Sequence, residues 1–261
     1  MVKLEIKKLG CGYGRKIIAK NIDACIESGQ VLCLLGHNGA GKTTLLKTIL
    51  GFVKPQKGGI FLNGKNINSF SPKKLARIIS YVPQMHMPPF PFTALDVVTM
   101  GRTIHLGMFS SPAKKDFDFA RDIMKSLEIS FLENRIYTEI SGGERQMVLI
   151  ARALAQEPEI LIMDEPTLNL DFGNQAKVLK QIRRLAQKGI GIIMASHFPD
   201  HAFLFSGKAA LMQNNGQFIF GNAEEIITEK NLARVYGIGV KIVDFAGTAS
   251  TRVKICVPIL D

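Results

Sequence analysis

The chain has 261 residues, of which 46% are hydrophobic and 21% are charged, a composition typical of an ordinary globular protein. A chain of this length buries about three quarters of its unfolded surface, so it needs neither disulfides nor a structural metal to fold. The net charge of +11 admits nucleic acid, an anionic membrane surface or phosphate ligands as partners. Because the basic residues are scattered, we rank a solvated surface first, membrane attraction second and nucleic acid third.

Three further observations narrow the class of protein. No stretch reaches the roughly 18 apolar residues of a membrane-spanning helix. The first five residues alternate like a strand instead of forming the apolar core of a signal peptide, so we expect the chain to stay in the cytoplasm. The cysteines form no C-x-x-C pair, which predicts small buried or half-buried residues and no zinc site; they are Cys11, Cys25, Cys33 and Cys256.

Short apolar runs predict the buried strands of a central sheet, because their length and β-branched content suit strands covered on both faces. They span residues 31–36, 78–82, 160–164 and 190–195. Lys42 to Leu50 is predicted to be a helix that ends at Gly51, a natural C-cap. Asn63-Gly64 is typical of a hairpin turn, and so is Asn214-Asn215-Gly216.

Residues from about 85 to 156 interrupt the strand pattern and predict an inserted helical subdomain after a proline-rich opening. Apolar side chains recur there at helical spacing, in the groups Phe117, Ala120, Met124, Leu127 and Met147, Ile150, Ala151, Leu154. We therefore expect one main domain over residues 1–237. A short β-rich tail is expected over 238–261.

A glycine-rich loop after the first central strand carries the first chemical signal. Residues 36–43 read GHNGAGKT, which satisfies G-x-x-x-x-G-K-[ST] between a strand and a helix. Glycines allow backbone N–H groups to surround a phosphate at the helix N-terminus. We expect Lys42 to reach the β- and γ-phosphates and the Thr43 hydroxyl to bind Mg²⁺. The predicted nucleotide-binding residues of the loop are Gly36, Asn38, Gly39, Gly41, Lys42, Thr43 and Thr44.

A second signal lies at the end of the 160–164 strand, where Asp164 and Glu165 follow four apolar residues. Open α/β sheets bind ligands at the carboxyl ends of their strands. We predict that Asp164 holds the Mg²⁺ shell and that Glu165 orients or deprotonates the attacking water. The alternative, a plain helix-start acid at Glu165, is less consistent with the phosphate loop upstream.

The segment Ile140-Ser141-Gly142-Gly143-Glu144-Arg145-Gln146 resembles the L-S-G-G-Q signature of the ATP-binding cassette (ABC) family. Ile140 stands for the usual Leu and Glu144 for the usual Gln. Independently of the name, Ser141 can cap the following helix, and the two glycines leave its N–H groups approachable, which predicts a second anion site. The resemblance covers nearly the whole chain.

Four more positions match the family. Gln84 resembles the Q-loop residue that senses Mg²⁺ and water. His197 resembles the switch histidine at the γ-phosphate, and Asp171 resembles the D-loop aspartate that reaches across the dimer, with Leu168-Asn169 in place of the common Ser-Ala. Tyr13 stands where the family places an adenine-stacking aromatic, with a packed surface tyrosine as the alternative. The other histidines, including His86, His105 and His201, are interpreted as ordinary residues and not metal ligands.

The resemblance implies an α/β fold, namely a P-loop NTPase (RecA-like) core with an N-terminal antiparallel β subdomain and an inserted helical subdomain. It implies ATP and Mg²⁺ as cofactors and a head-to-tail dimer with a second copy, in which Ser141, Gly142 and Gly143 complete the opposite nucleotide site. It also implies polytopic permease subunits, an indirect substrate-binding protein, and a peripheral place on the cytoplasmic face of the membrane. No nucleic acid is expected.

The run Val97-Val98-Thr99-Met100-Gly101-Arg102 is similar to that of importers for iron–siderophore, haem, cobalamin and related metal chelates. Some close relatives of that subfamily handle molybdate or tungstate. A cluster of methionines here suits either core filling or a groove for a short helix of the permease; its members are Met85, Met87, Met100 and Met108. A soluble ABC ATPase acting on nucleic acid and an exporter or lipid-transport ATPase stay open as alternatives.

Overall fold

A computed structural model describes residues 1–14, 16–84, 90–107, 109–205, 207–213, 216–246 and 252–260. The chain divides into two compact units, one formed by residues 1–70 with 191–261 and the other by residues 71–190. No helix within the described ranges is long and apolar enough to cross a membrane.

The first unit contains most of the strands. They are β1 (Lys3–Tyr13), β2 (Lys16–Glu27), β3 (Val31–Gly36), β4 (Lys57–Leu62), β5 (Lys65–Asn66), β8 (Gly191–Ser196), β9 (Lys208–Met212), β10 (Phe218–Asn222), β11 (Val240–Ala246) and β12 (Arg252–Pro258). Its helices are α1 (Lys42–Ile49), α7 (Asp200–Leu204), α8 (Ala223–Ile226) and α9 (Glu229–Tyr236), with a 3₁₀ turn at Ile67–Ser69.

An antiparallel sheet opens this unit, with the strand order β2-β1-β4-β5. Leu4 and Ile6 alternate into its buried face, while Lys3 points outward. The β4–β5 hairpin turns at Asn63 and Gly64, whose φ angles are 49° and 78°. Positive φ at both central residues is the geometry that Asn-Gly favours, so the hairpin prediction is confirmed.

The phosphate-loop strand β3 lies between two parallel neighbours, β8 and β9, and β10 pairs with β9 in the antiparallel sense. Every residue of β3 and β8 is buried, as continuous apolar runs predict. The carboxyl ends of parallel strands meet at one edge of a sheet. The loop after β3 and the residues after β8 are therefore brought together there.

The C-terminal part of the unit ends in a hairpin of β11 and β12, in register from Val240↔Pro258 to Ala246↔Arg252. Helix α9 stops at Gly237, whose φ is 72° and which serves as a left-handed C-cap. α7 packs against β12, and α9 packs against β11. The two strands lie within the tail expected at residues 238–261.

The second unit is largely helical. It contains α2 (Pro72–Ile78), β6 (Ile79–Val82), α3 (Ala94–Thr99), α4 (Lys114–Ser126), α5 (Gly142–Leu154), β7 (Ile160–Asp164) and α6 (Phe172–Gln187), with 3₁₀ turns at Met100–His105 and Ser130–Leu132. β6 and β7 pair in parallel, and every residue of β7 is buried. Helices α3, α4 and α5 pack on one another, and α5 also contacts α6.

The Val-Val-x-Met-Gly-Arg run has a packing reason in this unit. Val97 and Val98 are fully buried, and a Cβ on Gly101 would lie 2.1 Å from the Arg152 carbonyl oxygen, so only glycine fits. The Arg102 guanidinium donates to the Ala155 carbonyl oxygen at 2.9 Å and stacks 4.2 Å from a ring centroid on α4. The run therefore ties the 3₁₀ turn to α4 and α5.

Element boundaries agree with the sequence to within a residue or two. The predicted helix at 42–50 is observed at Lys42–Ile49, and the strands predicted at 78–82 and 190–195 are observed at Ile79–Val82 and Gly191–Ser196. Cys11 and Cys33 are buried and Cys25 and Cys256 are half-buried, as expected. The turn at Asn214-Asn215, the methionines Met85, Met87 and Met108, and His86 fall outside the described residues.

Candidate functional site

The loop between β3 and α1 is shaped by glycines with left-handed backbone. Gly39 has a φ of 82° and Gly41 a φ of 103°. A Cβ at Gly41 would lie 2.3 Å from Ile18 Cγ2, so this position excludes any side chain, whereas the same test at Gly39 finds open space. Gly41 is also the N-cap of α1, which has neither a side-chain cap nor an acidic residue in its first turn. A helix start of this kind favours an anion.

Lys42 lies buried within this loop, with 5% of its surface exposed. Its ammonium donates to the Gly36 carbonyl oxygen at 2.7 Å and to the His37 carbonyl oxygen at 3.3 Å. Both of these acceptors are neutral carbonyl oxygens of the loop itself. The loop thus stores a positioned cation at the start of α1.

The other predicted loop residues are neighbours of Lys42 in sequence. Asn38, Gly39 and Thr43 are exposed, while Thr44 is buried. Tyr13 ends β1 with 51% of its surface exposed, which leaves its ring face accessible to a base. The roles of these side chains toward nucleotide stay predictions.

His197 follows β8 and reaches the lysine. Its Nδ1 atom lies 3.4 Å from the Lys42 Nζ atom, although 155 residues separate the two in sequence. Because Lys42 is a donor only, Nδ1 is the acceptor in this contact. The structure therefore brings the predicted switch histidine and the predicted phosphate lysine together.

In the second unit, the two carboxylates lie at the C-terminal end of β7 as predicted, with Asp164 as its last residue and Glu165 next in the chain. Asp164 is 2% exposed, and Glu165 is half-buried with a φ of 53°. Left-handed backbone at a residue other than Gly, Asn or Asp is uncommon, and such strain concentrates at functional sites.

Two side chains from around the end of β6 contact these acids. The Gln84 Nε2 group donates to Glu165 Oε2 at 3.2 Å. The Tyr81 hydroxyl donates to Asp164 Oδ2 at 3.5 Å, and burial, followed by the Asp164 charge, raises the pKa of Tyr81 to about 12. The tyrosine stays protonated and is a donor at neutral pH. Sequence reasoning missed Tyr81, although its place next to the Q-loop on a parallel neighbour of β7 was a usable signal.

The signature segment begins α5 with a complete capping box. The Ser141 hydroxyl accepts from the Glu144 N–H at 3.3 Å, and Glu144 Oε2 accepts from the Ser141 N–H at 2.8 Å, which confirms the predicted cap. These bonds from Ser141 lower the pKa of Glu144, so its carboxylate is ionised at neutral pH. Ser141 and Gly142 are exposed, and Gly143 is buried.

Asp171 has a local structural role besides the predicted one. It is the N-cap of α6, where its carboxylate accepts from the Asn174 N–H at 2.9 Å and from the Asn174 amide at 2.6 Å. The Asn174 N–H is the main reason why the pKa of Asp171 is lowered. The preceding Asn169 has a φ of 60°. A contact of Asp171 with a second copy stays a prediction.

The predicted magnesium ligands fit that ion by their chemistry. Within the described parts of the chain, no three or more His, Cys, Asp or Glu side chains gather into a metal cluster. Mg²⁺ at nucleotide sites takes one or two carboxylates with phosphate oxygens and water, so a dedicated cluster is not needed. Asp164, Thr43 and Gln84 offer the hard oxygen atoms that it prefers, and Gln84 uses its NH₂ group on Glu165.

A family profile described as "ABC transporter" matches residues 19–168. An uncharacterised ABC transporter ATP-binding protein of Haemophilus influenzae is 44% identical over 233 residues, 89% of each chain. The molybdate import ATP-binding protein MolC of the same organism is 33% identical over 89% of this chain and 87% of its own. The iron(3+)-hydroxamate import ATP-binding protein FhuC of Bacillus subtilis is 33% identical over 93% of this chain and 91% of its own.

Among solved structures, an ABC transporter assigned to the metal-chelate type and captured in an inward-facing conformation is similar with a TM-score of 0.89. It is 30% identical in sequence and covers 100% of this chain and 98% of its own. The fold expected from the sequence, a P-loop NTPase core with an antiparallel β subdomain, is confirmed.

Proposed function

The chain belongs to the ABC transporter ATP-binding family, and we propose that it hydrolyses ATP to drive uptake of a metal chelate through a separate membrane permease. The observation that carries the proposal is the positioned cation of the loop: a buried Lys42 held by the loop's own carbonyl oxygens, 3.4 Å from His197. ABC ATPases in general bind and hydrolyse ATP.

The phosphate loop binds the nucleotide in this proposal. The buried Lys42 ammonium and the N–H groups at the start of α1 hold the β- and γ-phosphates, and the exposed Tyr13 ring stacks on the adenine. His197 contacts the γ-phosphate, so only the triphosphate engages it.

The acids after β7 and their neighbours organise hydrolysis. Asp164, Thr43 and Gln84 would hold Mg²⁺, which would supply positive charge to the phosphate oxygens. Glu165 orients the attacking water and takes its proton. Gln84 restrains the Glu165 carboxylate through its 3.2 Å bond. Tyr81 donates to Asp164 and holds that carboxylate at the strand end.

A second copy of the chain completes each site in the proposal. The signature helix presents an exposed Ser141 and Gly142 at its start, a surface that suits the terminal phosphate of a nucleotide bound to the opposite copy. Asp171 and the exposed Phe172, 88% accessible, lie at the start of α6 and suit the same interface. ATP binding closes the dimer, and hydrolysis reopens it.

The permease binds the helical second unit in the proposal. A surface cavity of about 620 Å³ lies beside the 3₁₀ turn and is lined by Lys73, Gly101, Thr103, Ile104, Leu106 and Gly107 among others. We assign a short helix of the permease to this cavity, because apolar and basic walls suit an amphipathic segment. It follows that the chain works at the inner face of the membrane. We also propose residues 1–237 as the ATPase domain, with the insertion at about 85–156, and residues 238–261 as its tail.

Glu165→Gln tests the catalytic part. The amide keeps the size of the side chain and cannot take a proton, so we expect ATP binding to persist, turnover to fall by about 100-fold or more, and an ATP-bound dimer to accumulate. Size-exclusion chromatography with ATP and phosphate release measure both effects. Glu159→Gln, at the exposed opposite end of β7, is the matched control. Wild-type turnover in Glu165→Gln would remove Glu165 from its role.

Uptake experiments separate the cargoes. The iron-hydroxamate and molybdate relatives are equally similar to this chain, at 33% each, and the metal-chelate structure favours the chelate. Cells lacking the chain, complemented with wild type or with Glu165→Gln, should take up a radiolabelled ferric siderophore only with wild type. Uptake of molybdate instead, with the same dependence on Glu165, would reassign the cargo and leave the ATPase in place.

A further inference from the structure

The segment from Ser196 to His201 contains the predicted switch histidine, His197, and a buried hydrogen bond joins its first and last residues. The Ser196 hydroxyl lies 2.9 Å from His201 Nδ1, and it accepts from the Phe198 N–H at 3.0 Å. Both Ser196 and His201 are buried, at 2% and 5% exposure. A hydroxyl can donate or accept, so the bond forms with either neutral tautomer of His201. The two ends of the segment are thereby held together around His197.

The C-terminal part of the chain also holds this segment. The Tyr236 hydroxyl donates to the His197 carbonyl oxygen at 3.4 Å, and burial raises the pKa of Tyr236 to about 12, so the hydroxyl keeps its proton. The Cys256 N–H of β12 donates to Asp200 Oδ1 at 2.6 Å. Each contact links residues 39 to 56 positions apart in sequence. The segment is therefore held by hydrogen bonds to the C-terminal part of the chain as well as by its own internal bonds.

The hairpin that supplies one of these bonds is itself anchored on its other edge. The Ile242 N–H of β11 donates to Glu229 Oε1 of α9 at 3.1 Å, which matches the Cys256 bond to α7. Each strand of the hairpin thus donates an edge N–H group to a carboxylate, β11 to Glu229 and β12 to Asp200. These bonds connect α7, α9 and the hairpin to one another, and Tyr236 of α9 connects them to His197.

We propose that Ser196, His201, Asp200 and Tyr236 are positioning residues, which hold the His197 imidazole against Lys42 and tie the C-terminal tail to the nucleotide site. The consequence for hydrolysis rests on the function proposed above for His197. A contact with the γ-phosphate tolerates little displacement, because misplacing a reacting group by about 1 Å costs up to 100-fold in rate. The tail is then part of the catalytic unit and not an appendage.

The positioning itself is tested without nucleotide. In the ¹⁵N-histidine spectrum of the full chain, His197, identified by its absence in His197→Ala, should show one tautomer with Nδ1 as the acceptor from Lys42. Ser196→Ala and Tyr236→Phe each remove only an oxygen atom, and we expect both to give a mixture of tautomers. Equal thermal unfolding midpoints would verify folding. A His197 signal unchanged in both variants would overturn the proposal.

Kinetics test the consequence. The loss of one such bond should lower kcat by about threefold to tenfold, while the affinity for ADP stays unchanged because ADP lacks the γ-phosphate. Asp200→Ala should show the same loss. Asp200→Asn keeps an acceptor oxygen for the Cys256 N–H and should retain activity. If the negative charge of Asp200 mattered instead of this bond, Asp200→Asn would lose activity as Asp200→Ala does.

A double variant separates this inference from the function on which it rests. Ser196→Ala should add no further loss to His197→Ala if it acts through the histidine. An additive loss would overturn the positioning role. If His197→Ala alone hydrolyses ATP normally while Ser196→Ala still disturbs the tautomer signal, the proposed role of His197 fails and the positioning stands.

Discussion

The two glycine-rich helix starts of this chain satisfy their first N–H groups in different ways. α1 begins at Gly41 without a side-chain cap or a first-turn acid, and a lysine is buried beside it. α5 begins at Ser141 with a capping box that places the Glu144 carboxylate in the first turn. An uncapped start with a cation favours an anion from outside, while a capped start already has a carboxylate in that place.

A glycine-rich helix start is therefore not by itself an anion site, because the charge in the first turn decides whether an anion binds there. We expect a single copy to bind nucleotide at α1. The start of α5 should contribute only when a nucleotide bound to another copy is presented to it. Substitutions in these two helix starts test that division.

Lys42→Ala should have the largest effect. Removing the buried ammonium leaves the phosphates without their nearest cation, which costs about 2–5 kcal/mol of binding, or at least a 30-fold weaker affinity for ATP. A titration with a fluorescent nucleotide measures it. Lys47→Ala, in the last turn of the same helix, is the control and should bind normally. Unchanged affinity in Lys42→Ala would contradict the assignment of the phosphate loop.

Gly143→Ala and Gly142→Ala should differ in their effect on folding. A Cβ at Gly143 would lie 2.5 Å from Asn174 Cγ, and Asn174 is bonded to the cap of α6, so we expect a loss of about 1–3 kcal/mol in the free energy of unfolding. A Cβ at Gly142 meets only Leu170 at 3.7 Å. Alanine is the better helix former, so Gly142→Ala should be neutral or stabilising. Urea unfolding measures both, and equal losses would contradict the packing argument.

Patterns that repeat within a few residues were predictable from the sequence. The fully buried β7, the extent of α1, the Asn63-Gly64 turn and the Ser141 cap all depend on local periodicity or on a local hydrogen bond. The acids after β7 were placed for the same reason. Their chemical roles were inferred from the strand end and the phosphate loop upstream, and they stay predictions.

Contacts between distant parts of the chain were not predictable in the same way. The bond of Asp200 to the Cys256 N–H and that of Tyr236 to His197 join segments that share no periodic pattern. His201 was interpreted as an ordinary residue, and its sequence gives no sign that Ser196 is its partner. The left-handed backbone of Glu165 could not be predicted from the sequence either, because tertiary packing imposes it on a residue that prefers other conformations.

Ser141→Ala should cost about 1 kcal/mol in the free energy of unfolding, because the helix loses the hydroxyl that accepts from the Glu144 N–H. Ser141→Thr keeps that acceptor and should restore stability. ATP-driven dimerisation, measured by analytical ultracentrifugation in the Glu165→Gln background, should fall in Ser141→Ala and recover in Ser141→Thr. A loss of dimer without a loss of stability would mean that the cap and the interface are separate functions of this residue.

Glu144→Gln should have the smallest effect and the opposite sign. The amide oxygen still accepts from the Ser141 N–H, but the negative charge is removed from the surface that meets the partner's nucleotide. Weakly screened surface charges are worth at most about 1 kcal/mol, so we expect ATP-driven dimerisation in the Glu165→Gln background to strengthen by about twofold to fivefold at low salt. Asp122→Asn on α4 removes an equal charge from an exposed helix face and should leave the dimer unchanged. The gain should shrink as salt rises, since screening removes the repulsion that the wild-type carboxylate exerts. A weaker dimer would show that the carboxylate itself binds the opposite copy, and the contrast between the two helix starts would then be one of contact and not of charge.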